Sequence, residues 1–224
     1  MKKLFYLLTF LLFSSGLFSQ NIEAYYGATS SMLNSNIRES SHEFVEFNRS
    51  TKSSFSIGIS QIKIPIGKKK FLLNAFINYD DYEGKLSSST ELPGVINSTQ
   101  TRVRKQSLSL ALYPLNLHFF AKRLWISVGP EYARPIQQSL SGYHAYAYID
   151  EGLIKSIKDN DPAYLVDDRF SLNFRMDFKL LQMEKLSLHF MSNYNKGLSK
   201  EFAGFDHDPF ADFLRLGFGF VRKI

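Results

Sequence analysis

Cysteine is absent from the 224 residues. That excludes disulfide scaffolds, thiolate zinc sites, cysteine nucleophiles and a lipid-modified N-terminal cysteine. Long apolar runs are absent too. After residue 19 nothing approaches the roughly 18 residues that a membrane-spanning helix needs. Charge is sparse, with Asp, Glu, Lys and Arg at 21%. Aromatics are plentiful at 15%, with Phe 21 and Tyr 12, and this composition excludes a disordered chain. The net charge is +6, with 27 basic and 21 acidic side chains. The basic residues do not form one patch with aromatic stackers, so nucleic acid is not an expected partner.

The first stretch has the order of an export signal. Lys2 and Lys3 precede the apolar run from Leu4 to Phe13, and Ser14, Ser15, Gly16 and Ser19 supply small residues. This predicts a signal peptide over 1–19, cut between Ser19 and Gln20, and one exported domain over 20–224. A membrane protein made from that domain can only be a β-barrel.

The mature part is dominated by period two, the period of a strand. From Arg169 to Leu180, Phe170, Leu172, Phe174, Met176, Phe178 and Leu180 alternate with Arg169, Ser171, Asn173, Arg175, Asp177 and Lys179. Similar runs cover 71–80, 107–112, 124–132, 186–195 and 214–220. Weaker ones cover Ile22 to Met32 and Phe55 to Ile66, the latter changing parity near Ser60 as a bulge would. Eight strands result. Long connections over about 34–51, 81–100, 136–168 and 197–209 take turns with short ones over about 66–69, 114–123 and 181–185. This predicts an all-β fold, a single eight-stranded antiparallel up-and-down transmembrane barrel. The short turns and both termini lie on the periplasmic side. A short helix is expected near Glu151–Lys158 in the third long loop.

Alternation alone leaves a soluble, secreted, ligand-binding barrel open as a second reading. Three features favour lipid outside. The polar face carries small residues such as Ser54, Ser56, Gly58, Ser107, Ser109, Gly217 and Gly219, which suit a narrow lumen. Glu131, Arg175, Asp177, Lys179 and Arg215 on that face carry both signs and are expected to neutralise one another as a lumen charge network. Tyr25, Tyr26, Tyr79, Tyr82, Tyr113, Trp125, Tyr132, Tyr194, Phe218 and Phe220 gather near strand ends, as an interfacial girdle does.

With its signal ending in Ser19-Gln20, its eight alternating strands and its last strand Phe213 to Ile224, the chain resembles the small outer-membrane barrels of the OmpA/OmpX type. The form is that of Bacteroidota, with PorT-like barrel domains. The terminal strand resembles the signal read by the barrel-assembly machinery, although it ends in Ile224 rather than an aromatic. The resemblance implies an outer-membrane location and a non-enzymatic structural, binding or accessory-subunit role in the cell envelope. It implies no cofactor and no metal, and it transfers no activity.

Few constellations carry chemistry. A lipid A deacylase on the same barrel needs His and Ser two residues apart on a lipid-facing side, and His189 and Ser192 are three apart, on opposite sides of a strand. Asp206-His207-Asp208 reads as a solvated acidic loop tip more readily than as a cation site. Gly67-Lys68-Lys69-Lys70 lacks the spacing of a phosphate loop. Arg102 and Arg104 share the parity of Leu108, Leu110 and Leu112, so they point outward at the outer rim, at the height of lipopolysaccharide phosphates. Tyr143, Tyr146 and Tyr148 in the third loop are candidate contacts for another envelope protein or an external ligand. The expected partners are therefore outer-membrane lipid and lipopolysaccharide, the assembly machinery during biogenesis, and an envelope protein complex.

Overall fold

Alternating side chains of opposite polarity settle into strands because only an extended backbone sorts them onto two faces. The computed structural model describes residues 21–35, 43–48, 50–66, 69–92, 95–121, 123–148, 152–157, 168–199 and 209–224. The expected signal peptide over 1–19 and the Asp206-His207-Asp208 tip lie outside them. Every regular element among the described residues is a strand: β1 (Asn21–Ser35), β2 (Glu43–Asn48), β3 (Ser50–Ile66), β4 (Lys69–Leu92), β5 (Val95–Tyr113), β6 (Leu115–Phe119), β7 (Leu124–Tyr148), β8 (Gly152–Ile157), β9 (Arg169–Met183), β10 (Leu186–Gly197) and β11 (Pro209–Lys223).

All pairs are antiparallel. The order β4-β3-β1-β11-β10-β9-β7-β5 closes on itself because β4 also pairs β5. This is a closed barrel of eight staves, and closure removes the open edges that would expose unpaired backbone groups. The seam joins the two chain ends, with β1 paired to β11 from Asn21↔Lys223 to Ser35↔Pro209. Asn21 and Lys223 therefore lie at the end that carries the tight β9–β10 turn through Glu184 and Lys185.

The barrel is inside-out relative to a soluble core. On β9 the odd residues Arg169 to Asp177 are buried, whereas Phe170, Phe174, Met176, Phe178 and Leu180 are 40–55% exposed. The other staves repeat this, so buried polar and charged residues far outnumber buried apolar ones. The apolar run on β9 is 11 residues long. At a rise of roughly 3.3 Å per residue and a tilt of about 40° it spans roughly 28 Å, close to the ~25 Å apolar band of an outer-membrane barrel.

Irregularities adjust the staves, among them a register shift between β9 and β10 at Leu188 and His189. The parity change near Ser60 is a bulge between Ile59 and Ile62, with Gln61 at φ 58° and its N–H donated to Asn74 Oδ1 at 2.8 Å. Another bulge opposes Gln106 and Ser107 to the stretch from Pro135 to Gln137, where proline's missing N–H does no harm. Pro114 separates β5 from β6, and Asn116 ties the break by donating to Leu72 O at 3.1 Å and Tyr113 O at 2.8 Å.

Some expected connections are strands instead. The 81–100 connection is a continuous hairpin of β4 and β5, paired as far as Leu92↔Val95. β7 runs on to Tyr148, β8 pairs with it, and β2 pairs with β4. A five-stranded sheet β2-β4-β5-β7-β8 thus rises above the rim. The expected helix near 151–158 is strand β8, because the register of β7 supplies ready backbone partners there. The short 114–123 connection contains strand β6.

Close approach at the seam gives a first prediction. Gly27 faces Gly217, and a Cβ on Gly27 would lie 1.9 Å from the Leu216 carbonyl oxygen, a backbone atom that cannot swing away. Gly27→Val is expected to prevent closure. Unboiled gel samples of the refolded variant should then show only the unfolded mobility.

Candidate functional site

The lumen is filled by two arginine-centred clusters. Arg215 on β11 reaches across to β4 and β7. Its Nε and Nη2 donate to Asp80 at 2.8 and 2.6 Å, and its Nη1 and Nη2 donate to Glu131 at 2.9 and 2.6 Å. Thr29 donates to Asp80 at 2.8 Å, Asn78 and Asn173 donate to Glu131, and Arg169 approaches Glu131 at 3.5 Å. Arg175 on β9 forms the second cluster. It forks onto Asp177 at 2.7 and 3.0 Å and reaches Glu23 at 3.4 Å. Its guanidinium lies 3.6 Å from the Phe76 ring centroid and 4.6 Å from that of Tyr25. Rings of this kind attract a desolvated cation by their π-faces.

Among the described residues the buried lumen-facing cations are Lys105, Arg169, Arg175 and Arg215, and the lumen-facing anions are Glu23, Asp80, Glu131 and Asp177; the one further buried charge, Asp212, pairs with Lys196 instead. The two sets balance, four against four. This is how a narrow, low-dielectric lumen tolerates charge, since an unpaired ion there would be strongly destabilising. Beside the clusters, Tyr25, Phe76, Ala111, Tyr113, Met191 and Val221 pack together as an apolar waist inside the barrel.

Of the five expected network residues, Glu131, Arg175, Asp177 and Arg215 come together. Lys179 does not. It is only half-buried near the β9–β10 turn, where its Nζ donates to Gln182 Oε1 at 3.3 Å, because the last turn of β9 leaves the lumen. Glu23, Asp80, Lys105 and Arg169 complete the charge balance and were not expected in it. The girdle also needs correction. Tyr25 and Tyr113 lie inside the lumen, Trp125 faces inward between His118 and His189, and Tyr82 is buried against Phe213. Tyr26, Tyr194, Phe218 and Phe220 do face outward.

His189 and Ser192 occupy opposite faces, with His189 buried in the lumen. The imidazole instead meets Ser187 at 2.9 Å, two residues away on the lumen side, under the Trp125 ring. Both lie on the lumen side, away from the apolar outer surface. No cluster of metal-ligating side chains occurs among the described residues.

The outer rim carries a different charge arrangement. Arg102 and Arg104 on β5 face outward and are more than half exposed. Arg104 forks onto Asp81 at 3.4 and 3.1 Å, and Arg102 donates to Glu83, which also meets Lys52 at 3.5 Å. The hydrogen bonds from Arg102 hold the Glu83 carboxyl below its usual range. On the far side of the barrel Asp212 accepts from Tyr194 and Lys196, both at 2.9 Å. Tyr143, Tyr146 and Tyr148 fall on β7 in the raised sheet, opposite Gln100, Asn97 and Val95; their side chains lie outside the described residues.

No protein-family model and no curated protein matches the chain. Three solved structures resemble its course. Neisserial surface protein A is 10% identical, over 91% of this chain and 97% of that one, at a TM-score of 0.40. Ail of Yersinia pestis, solved with the heparin analogue sucrose octasulfate, is 9% identical over 91% and 99%, at 0.36. OprG of Pseudomonas aeruginosa is 12% identical over 91% and 96%, at 0.39. The fold itself stands on the strand pairing described above.

Proposed function

We propose that this chain is an outer-membrane β-barrel with a non-enzymatic structural or binding role in the cell envelope, alone or as an accessory subunit of a larger assembly. One observation carries this reading: the exterior is apolar over the height of a membrane while the interior is polar and charge-balanced. Water cannot be the solvent of such an exterior, because contiguous apolar patches of this size do not persist on soluble monomers. The export signal read in residues 1–19 fits the same location. The finer resemblance to PorT-like barrels of Bacteroidota, and engagement of the assembly machinery by β11, belong to this proposal.

Heat-modifiability in isolated outer membranes tests it. The unboiled protein is expected in the outer-membrane fraction with altered gel mobility that boiling abolishes. A soluble protein without a shift would overturn the reading. The filled lumen adds a second expectation. The arginine clusters and the apolar waist leave no wide water path, so planar bilayers should show no porin-sized conductance steps.

A further inference from the structure

The two outward arginines of β5 have a geometry that their partners explain only in part. In register, Arg104 faces Glu83 and Arg102 faces Lys85. Each arginine leans diagonally instead, Arg104 onto both oxygens of Asp81 and Arg102 onto Oε1 of Glu83, so two arginine–carboxylate pairs stand on one face about 6.6 Å apart by strand rise. Both arginines use Nε and Nη2 for the carboxylate. Nη1 of each, with two N–H donors, takes no part in these carboxylate contacts. The carboxylates are covered, at 13% and 17% exposure, while the arginines above them are 53% and 63% exposed. What the surface presents is therefore guanidinium. Lys52 adds a third cation to the two carboxylates, so the cluster is net positive.

Height decides what meets this surface. Below Arg104 on the same face come Gln106, then the outward Leu108, Leu110 and Leu112; below Asp81 come Tyr79 and Ile77. The two pairs thus sit just above the apolar band, within the several ångströms of a headgroup layer. They lie toward the end opposite the β9–β10 turn. Arginine suits this place because its planar fork pairs bidentately with phosphate, while a carboxylate behind it fixes the rotamer.

We propose that Arg102 and Arg104 bind the phosphate groups of lipopolysaccharide in the outer leaflet, with Asp81 and Glu83 as positioning carboxylates. This rests on the reading of the chain as an outer-membrane barrel. The full chain, folded in neutral detergent, is titrated with diphosphoryl lipid A, dephosphorylated lipid A, inorganic phosphate and heparin. The readout is the temperature at which the folded gel band converts to the unfolded one. Diphosphoryl lipid A is expected to raise it; the dephosphorylated lipid and free phosphate should not. In R102Q/R104Q the lipid A concentration needed should rise at least tenfold, with Arg222→Gln at the opposite end as an unchanged control.

D81N/E83Q separates a built site from a merely positive patch. It makes the face more positive, so a patch would bind tighter, whereas loss of positioning should weaken binding several-fold. Unchanged binding by R102Q/R104Q, tighter binding by D81N/E83Q, or a response to heparin in place of lipid A would each overturn the proposal. Failure of the barrel reading is distinct, because the wild-type chain would then show no heat-modifiable band in any titration.

Discussion

Replacing Arg215 with methionine is expected to destabilise the folded barrel by about 3–5 kcal/mol, the usual effect of removing one partner from a buried ionic cluster. Asp80 and Glu131 each lose a pair of short hydrogen bonds, and both are fully enclosed. Thr29, Asn78 and Asn173 remain as neutral donors, and Arg169, 3.5 Å from Glu131, is one cation against two negative charges. Against a total stability of about 5–15 kcal/mol this is a large fraction. Urea titration of the refolded protein should show the midpoint falling steeply. The double variant R215M/D80N should recover most of the loss, because it restores three lumen cations against three anions and leaves Glu131 beside Arg169. If the single and double variants were equally destabilised, packing rather than charge would account for Arg215. Conductance measurements on R215M test a second consequence, since shortening this side chain widens the lumen between β4, β7 and β11.

Why some of this was legible in the sequence and some was not follows from how each signal arises. Arg175, Asp177 and Arg215 lie in strands whose apolar half alternates cleanly, so their parity places them inside. Glu23 lies in β1, where inward Tyr25 blurs the alternation, and Lys105 lies on β5 above the last leucine. Pairing across the lumen is a further step that no local pattern carries: Arg215 and Asp80 are 135 residues apart. Aromatic type is equally silent about side. Tyr25 and Tyr113 fill the lumen while Tyr26 faces out, because a narrow barrel needs bulk inside as well as rings at the interface. The raised sheet gave no sign of itself since its strands, such as Ser87-Ser88-Ser89-Thr90 on β4, lack an apolar half. Its strands persist because the barrel below already sets their register and each added residue extends an existing ladder.

Charge placed on the exterior separates lipid from every other surrounding. Met176 lies near the middle of the outward run on β9, and Phe170 lies at its outer end. In a bilayer, Met176→Arg is expected to destabilise by about 2–4 kcal/mol and Phe170→Arg by about 0–1 kcal/mol, since the effect of an outward arginine fades toward the headgroups. Folding into lipid vesicles with urea titration measures both. If this face met water, as on a soluble protein of reversed packing, both substitutions would lie within about 0.5 kcal/mol of zero. If a protein partner covered it completely, the loss at Phe170 would match that at Met176. A gradient with depth arises only from a slab with an apolar centre and polar edges. The same pair measured in bilayers of thinner acyl chains adds a direction. Thinning brings headgroups closer to Met176, so its penalty should shrink, while the small effect at Phe170 has little left to lose.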